Sequence, residues 1–303
     1  MTAGDRSQAR LKVRLPLAGS RAQAIQLGGM GRVQKIGVGG RCQATPPGSV
    51  LRTESKLSLV WSYANLYSVN LNANTSESKK VTVSNSVIPG DRLSPWSLSI
   101  WFKTSNSAAQ KAIFCRRLDA PLWTGIRVEM YPGNDRIVCG LFSDYSANNY
   151  LQTYETVGSW ADGAWHHLVI TYDGSSTLAG VIFYVDATLR AKAVVPAVST
   201  RDTLTGSIVN AQHGTFGFQN SVTYPDPWIG KLTKPYIYNA VLTLAQVVEL
   251  NACPDPRLCT SAPNLTNAWW FGDGDVSPMI IDHVGWQPGV LGNGAAFALD
   301  APP

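Results

Sequence analysis

The chain has 303 residues, of which 45% are hydrophobic and only 15% charged, with a formal net charge of +5. That length is enough for one large β domain or two ordinary ones, with core to spare and no need for a disulfide framework. No apolar run approaches the roughly 20 residues that a bilayer-spanning helix needs, and the 27 Gly and 18 Pro follow no triplet period, so transmembrane-helical and collagen-like architectures are excluded.

The first segment differs from the rest. Residues 1–56 hold ten Lys/Arg against Asp5 and Glu54, a net of +8, which leaves −3 for the remainder. They also hold nine of the 27 glycines and no Trp, Tyr or Phe, so they lack the material of a core. An extended basic arm is expected, hinged at Pro46-Pro47-Gly48. Its charges, Arg10, Lys12, Arg14, Arg21, Arg32, Lys35 and Arg41 among them, are scattered and have no aromatic neighbours to stack on bases. That favours anchoring on an acidic protein surface over nucleic-acid binding. The first thirty residues lack the apolar stretch of a signal peptide, so use without Sec export is expected.

From about Leu57 the pattern becomes that of strands. Ten Trp, eleven Tyr and eight Phe favour a β-rich body. Trp96, Leu98, Ile100 and Phe102 alternate with Ser97, Ser99, Trp101 and Lys103, the period-2 signature of a half-buried strand. Ile126–Met130 and Ile137–Phe142 flank Pro132-Gly-Asn-Asp135 as a hairpin. Strands are expected at His166–Tyr172, Val181–Val185, Thr188–Val194 and Ile229–Tyr238. One helix is expected after Thr243, whose capping box closes with Gln246, and Leu244, Val247 and Val248 would form its apolar stripe. Many short strands between turn signals indicate a sandwich. Trp96, Ile100, Phe102, Leu168 and Phe183 are the expected core.

Five cysteines (Cys42, Cys115, Cys139, Cys253 and Cys259) are too few and too scattered for a disulfide scaffold, and the 253/259 spacing is too wide for a zinc knuckle. Free thiols in a reducing compartment are expected.

Trp96-Ser-Leu-Ser-Ile-Trp-Phe-Lys-Thr104, Asp162-Gly-Ala-Trp-His-His-Leu-Val-Ile-Thr-Tyr-Asp-Gly174, Phe183-Tyr-Val-Asp186 and Trp228–Val248 resemble, in order and spacing, the strands and closing helix of the concanavalin A-like lectin/laminin G family. The resemblance covers roughly residues 66–250. It implies an all-β, concanavalin A-like jelly-roll sandwich of two antiparallel sheets opening at Leu66–Asn72, carried behind the extended N-terminal arm. The expected organisation is an arm over 1–56, a laminin G-like sandwich over 57–252 and a C-terminal extension packing on it over 253–303. The tail Ala268-Trp-Trp-Phe-Gly-Asp-Gly-Asp275, with Pro278, Ile281-Asp282 and Gly292-Asn293, resembles a segment of laminin-G-like virion proteins of tailed bacteriophages.

Candidate chemistry is sparse. Retaining glucan hydrolases of this fold need two Glu bracketing an Asp on one strand, and none of Glu54, Glu77, Glu129, Glu155 and Glu249 is followed two residues on by an Asp. His166 and His167 are adjacent on a strand and point to opposite faces, so they cannot share a ligand set; one is expected in the core and the other on the sheet surface. Asp273 and Asp275 could offer oxygen ligands to calcium, but further ligands are missing from Val276-Ser277-Pro278 and a plain acidic turn explains them better, so no metal is expected. Tyr145, Tyr150, Tyr154, Trp160, Tyr224 and Trp228 could stack on sugar rings, although aromatics in a sandwich are more often core or interface anchors; Asn148, Asn149 and Tyr150 together with Trp160 are the candidate glycan contacts. Taken with the resemblance, these features imply a non-enzymatic virion protein, a capsid decoration (cement) or minor capsid protein. Its arm would hold the major capsid protein, its sandwich would face a cell-surface glycan, and it would bind neither nucleic acid nor membrane. Made in the host cytoplasm, it would sit on the capsid surface as an oligomer, with a trimer among the options. The alternative is a tail-fibre or receptor-binding lectin, or a free carbohydrate-binding module.

Overall fold

The computed structural model describes residues 66–72, 79–87, 91–194, 203–219, 221 and 224–303. Residues 1–56, with the seven cations expected to anchor the arm, lie outside the described residues. The strands are β1 (Tyr67–Asn70), β2 (Lys80–Val83), β3 (Trp96–Lys103), β4 (Lys111–Arg117), β5 (Gly125–Met130), β6 (Ile137–Asp144), β7 (Asn149–Glu155), β8 (Trp165–Tyr172) and β9 (Val181–Val185). They continue with β10 (Thr188–Arg190), β11 (Lys192–Val194), β12 (Gly214–Phe216), β13 (Lys231–Tyr238), β14 (Leu265–Ala268), β15 (Met279–Ile280), β16 (Gly289–Gly292) and β17 (Ala296–Leu299). One helix, α1 (Leu244–Ala252), lies between β13 and β14.

These form two antiparallel sheets. One runs β10-β9-β8-β3-β13-β1-β17, with β14 also paired to β13, and the other runs β11-β7-β6-β5-β4-β12-β2-β16-β15. The fold is the expected all-β sandwich. Every second residue of β3, β8 and β9 enters the shared core, and Trp96, Ile100, Phe102, Leu168 and Phe183 are all buried there.

Several details depart from the sequence reading. Strand β3 is buried from Trp96 to Phe102 on both faces, not half-buried. Its outer face is covered by a second apolar cluster that includes Tyr236, Tyr238, Val247, Leu250 and Leu265, so the helix and the tail replace solvent there. The two histidines take opposite faces as expected, but because the outer face is covered neither lies on the surface. His166 packs on Phe102 and Trp160 at ring distances of 5.6 and 5.1 Å, while His167 stacks on Trp101 at 4.8 Å and bonds Ser99 and Asn251. The stretch 188–194 is two strands, because the chain changes sheets at Ala191: β10 pairs with β9 and β11 with β7. Helix α1 has the expected capping box on Thr243, but it buries Val247 and Leu250, and Leu244 and Val248 stay exposed.

The residues after Asn251 do not merely pack on a finished sandwich. β14, β16 and β17 hydrogen-bond to β13, β2 and β1, and Trp269 and Phe271 enter the main core. Cys253 and Cys259 form a disulfide across the turn after α1, which corrects the expectation of five free thiols; Cys115 and Cys139 are free and buried. A separation of six residues turns the chain back far enough to bring the two Cα atoms to 6.8 Å, within bridging range.

Candidate functional site

The outer face of the nine-stranded sheet carries an unusual density of charge. Arg117 on β4 and Arg127 and Glu129 on β5 are all buried, with Asp226 beside them from the β12–β13 connection. Arg127 forms an ion pair with Glu129, whose other oxygen accepts from Gln110. Burial pushes the Glu129 carboxyl up, against the pull of Arg127. Burial likewise raises Asp226, opposed by Arg127 and Arg117. Arg117 is only 2% exposed; burial and the neighbouring Arg127 push its guanidinium down to about 10. Two cations and two carboxylates leave the cluster balanced in charge.

Arg117 is roofed by aromatic rings instead of carboxylates. Its guanidinium lies 4.3 Å from the Trp123 ring and 5.4 Å from Phe142. From Trp123 a column continues through Tyr145 (4.2 Å) to Tyr150 (5.0 Å, stacked) and Phe142, while Tyr224 meets Trp123 edge-on at 5.9 Å. Such contacts are worth about 0.5–1.5 kcal/mol each beyond area burial. The column ends in solvent: Tyr145 is 38% and Tyr224 50% exposed.

Three connections build this rim, and hydrogen bonds knit them. Tyr145 N–H donates to Leu122 O (2.8 Å), Ser221 Oγ to Asp119 Oδ1 (2.8 Å) and Ala112 N–H to Asp226 O (2.8 Å). Trp123 (φ +54°), Asn148 (φ +65°) and Asp226 (φ +38°) hold left-handed backbone. Asn tolerates this, but Trp does so only where the surroundings impose it, and such outliers cluster at ligand clamps.

The sequence-predicted residues divide accordingly. Asn148 is exposed at the tip of the β6–β7 hairpin, on the rim. Asn149 is engaged internally: its amide donates to Thr205 Oγ1 and accepts from Thr205 N–H, both at 2.9 Å. Tyr150 is buried within the column, so its ring faces are covered. Trp160 lies apart in the main core, with its indole N–H on Glu155 (2.9 Å) and Arg190 over its ring (4.8 Å). Neither Tyr150 nor Trp160 presents a face for a sugar. Asp273 accepts Leu66 N–H at 3.0 Å, and Asp275 accepts Gly272 N–H (2.8 Å) and Ile281 N–H (2.7 Å), so both carboxylates organise backbone. Among the described residues there is no cluster of three or more metal-ligating side chains. Sequence reasoning missed Trp123 and Arg117, which sit in an irregular stretch and a strand where nothing marks a lone Trp or Arg as paired.

A family model of the concanavalin A-like lectin/glucanases superfamily, the laminin G type, matches residues 58–248. The chain belongs to this family. A candidate carbohydrate-binding protein of Bacteroides ovatus is similar at 15% identity and a TM-score of 0.54, with 78% of this chain and 61% of that chain covered. The heptameric SAP-like pentraxin of Limulus polyphemus matches at 12% identity and 0.46, over 78% and 96% of the two chains. Domains LG4-5 of the mouse laminin α1 chain match at 13% identity and 0.40, over 59% and 43%. Identities this low speak for a shared fold alone, and the chain spans about three fifths of the Bacteroides protein. No curated protein matches.

Proposed function

We propose that the chain is a non-catalytic, lectin-like module that binds glycan at the Trp123–Tyr145–Tyr224 rim. The observation that carries this reading is the rim itself: half-exposed aromatic rings, held rigid over a buried, charge-balanced floor. Aromatic bodies with polar tips suit a ligand that has both C–H faces and hydroxyls. Family membership and the fold shared with the Bacteroides protein support it. Glycan recognition is preferred to capsid decoration because the rim lies within the described sandwich, whereas the anchoring expectation rests on residues 1–56, which lie outside the described residues. Asn148, beside the rim, would add a neutral amide contact. The absence of a Glu-x-Asp pair and the engagement of Glu129 by Arg127 and Gln110 favour binding without hydrolysis.

The test is a glycan array probed with the wild-type chain and with Tyr145→Ala/Tyr224→Ala. Binding to at least one glycan class, weakened tenfold or more by the double substitution, is expected. An array left bare by the folded wild-type protein would overturn the reading.

A further inference from the structure

A cavity of about 400 Å³ opens at one end of the sandwich, between the start of β3, the end of β13, β14 and the turn that follows β2. That volume lies within the range of roughly 300–1,000 Å³ usual for small-ligand sites. Ser86, Ser94, Asn239, Thr266 and Asn267 supply the polar half of its lining, apolar and aromatic residues including Trp96 and Ile237 supply the other half, and no charged side chain lines it. Amides and hydroxyls both donate and accept, so this lining suits a neutral, hydroxyl-rich ligand and offers no counter-charge to a phosphate, carboxylate or ammonium group. Trp96 is 2% exposed, and its indole N–H has no hydrogen-bond partner.

The turn that follows β15 carries the most exposed aromatic ring of the described residues. Trp286 is 86% exposed and its backbone is left-handed (φ +57°). Its turn is firmly held. The Asp282 carboxylate accepts from the N–H groups of Ala268 (2.9 Å), Val284 (3.1 Å), Gly285 (3.1 Å) and Gln287 (3.1 Å), and from the Asn267 amide (2.7 Å). Trp269 donates its indole N–H to Gln287 O at 3.0 Å. Gly285, the neighbour of Trp286, presses on the cavity lining so closely that a Cβ there would come within 2.3 Å of Asn267 Nδ2 and 2.4 Å of Thr266 O. A rigid turn therefore holds Trp286 one residue along the chain from a glycine packed against two residues of the cavity wall. Holding the ring in place before binding removes the ordering cost that a flexible aromatic would incur.

We propose that Trp286 and the Trp96 cavity form a second sugar site, separate from the rim and selective for a neutral pyranose. The sugar's C–H face stacks on the Trp286 indole, and its hydroxyls reach the amides and hydroxyls of the lining, against the wall that Trp96 provides. The ligand class rests on the lectin-like reading above; the location of the site does not.

The experiment uses the full chain. A glycan array of neutral and acidic structures is probed with wild type, Trp286→Ala and Tyr145→Ala/Tyr224→Ala. The indole N–H signals of Trp96 and Trp286, assigned with Trp→Phe variants, are then followed by NMR during titration with methyl α-glucopyranoside, α-galactopyranoside and α-mannopyranoside and with glucuronate. At least one neutral glycoside is expected to shift both indole signals and glucuronate neither. Trp286→Ala, at so exposed a position, is expected to keep the wild-type melting temperature and to lose at least tenfold in affinity for that glycoside; the tyrosine double variant is expected to keep it. If Trp286→Ala binds every array glycan as wild type does and the indole signals stay still, the second site is overturned, while loss of binding in the tyrosine variant leaves the lectin reading standing. A response to acidic sugars alone overturns the proposal as well. If the wild-type chain binds no saccharide at all, the lectin reading falls and the proposal with it.

Discussion

Asp300 and Trp165 lie 135 positions apart and are joined by a 2.9 Å hydrogen bond from the indole N–H to the carboxylate. Lys103 (3.1 Å) and Lys231 bind the other oxygen, so the chain's last turn is tied to β3, β8 and β13 at once. Burial raises the Asp300 carboxyl, but the hydrogen bonds from Lys231, Trp165 and Lys103 more than reverse this and hold it at about 2. The depressed value means that its stabilisation is complete above about pH 4, the unfolded value, and is lost as pH falls towards 2. Asp300→Ala is expected to cost about 1–2 kcal/mol at pH 7 and only about a third of that at pH 2.5, read from thermal melts at the two pH values.

The two adjacent histidines are expected to act in opposite senses. Burial pulls His166 down, but hydrogen bonds to Asp186 (2.8 Å) and Asp162 (3.1 Å) outweigh it and raise its pKa. Its contribution is full below about pH 6.5 and fades as pH rises through the raised value. Burial depresses His167 to about 4, so it folds neutral; its contribution is present above about pH 6.5 and is lost as pH falls from there towards 4. His167→Gln is expected to flatten the acid limb of stability between pH 6.5 and 4. His166→Gln is expected to destabilise more at pH 5.5 than at pH 8.5. Urea denaturation across the series measures both.

Reducing the Cys253–Cys259 bridge releases a short loop, and the chain-entropy estimate for six residues is about 2 kcal/mol. The bridge fixes the end of α1 against the cluster of Tyr236, Tyr238 and Leu265. A melting temperature several degrees lower in dithiothreitol, and equally lowered by Cys253→Ser/Cys259→Ser, is expected. An unchanged melt would show that the bridge adds nothing.

Gly125 stands at φ +138° opposite Arg117 and Phe142, where a Cβ would lie 2.0 Å from Arg116 O. The β4 backbone and the Asn210 side chain must yield to admit it. Gly125→Ala is therefore expected to cost at least about 3 kcal/mol and to disturb the rim through Arg117. Calorimetry reads the first effect and array binding the second.

Hydrolysis is not expected. Incubation with common β-glucans should release no reducing ends above a protein-free blank. Release that disappears in Glu129→Gln would contradict the assignment of Glu129 to the Arg127 ion pair alone.

The architecture was largely legible in the sequence. Alternation in 96–103 and 166–172, the hairpin around Pro132-Gly133 and the Thr243–Gln246 capping box are local signals, and each reappears in the structure because strand pleat and helix caps are set by neighbours in the chain. The glycan candidates were legible only as residue types. Asn148 reached the rim, whereas Tyr150 and Trp160 were absorbed into packing, since exposure depends on what crosses a side chain from distant segments.

The sequence by itself therefore determined the sandwich, its strand pattern and the lack of a paired-carboxylate strand, all properties of local order. Tertiary structure alone decided that the tail would complete both sheets, that Cys253 and Cys259 would meet, and that Arg117 would sit beneath Trp123. It also decided that Asp282 would gather five donors and leave Trp286 bare in solvent. These depend on the register between strands far apart in the chain, and no periodicity within a single segment encodes that register.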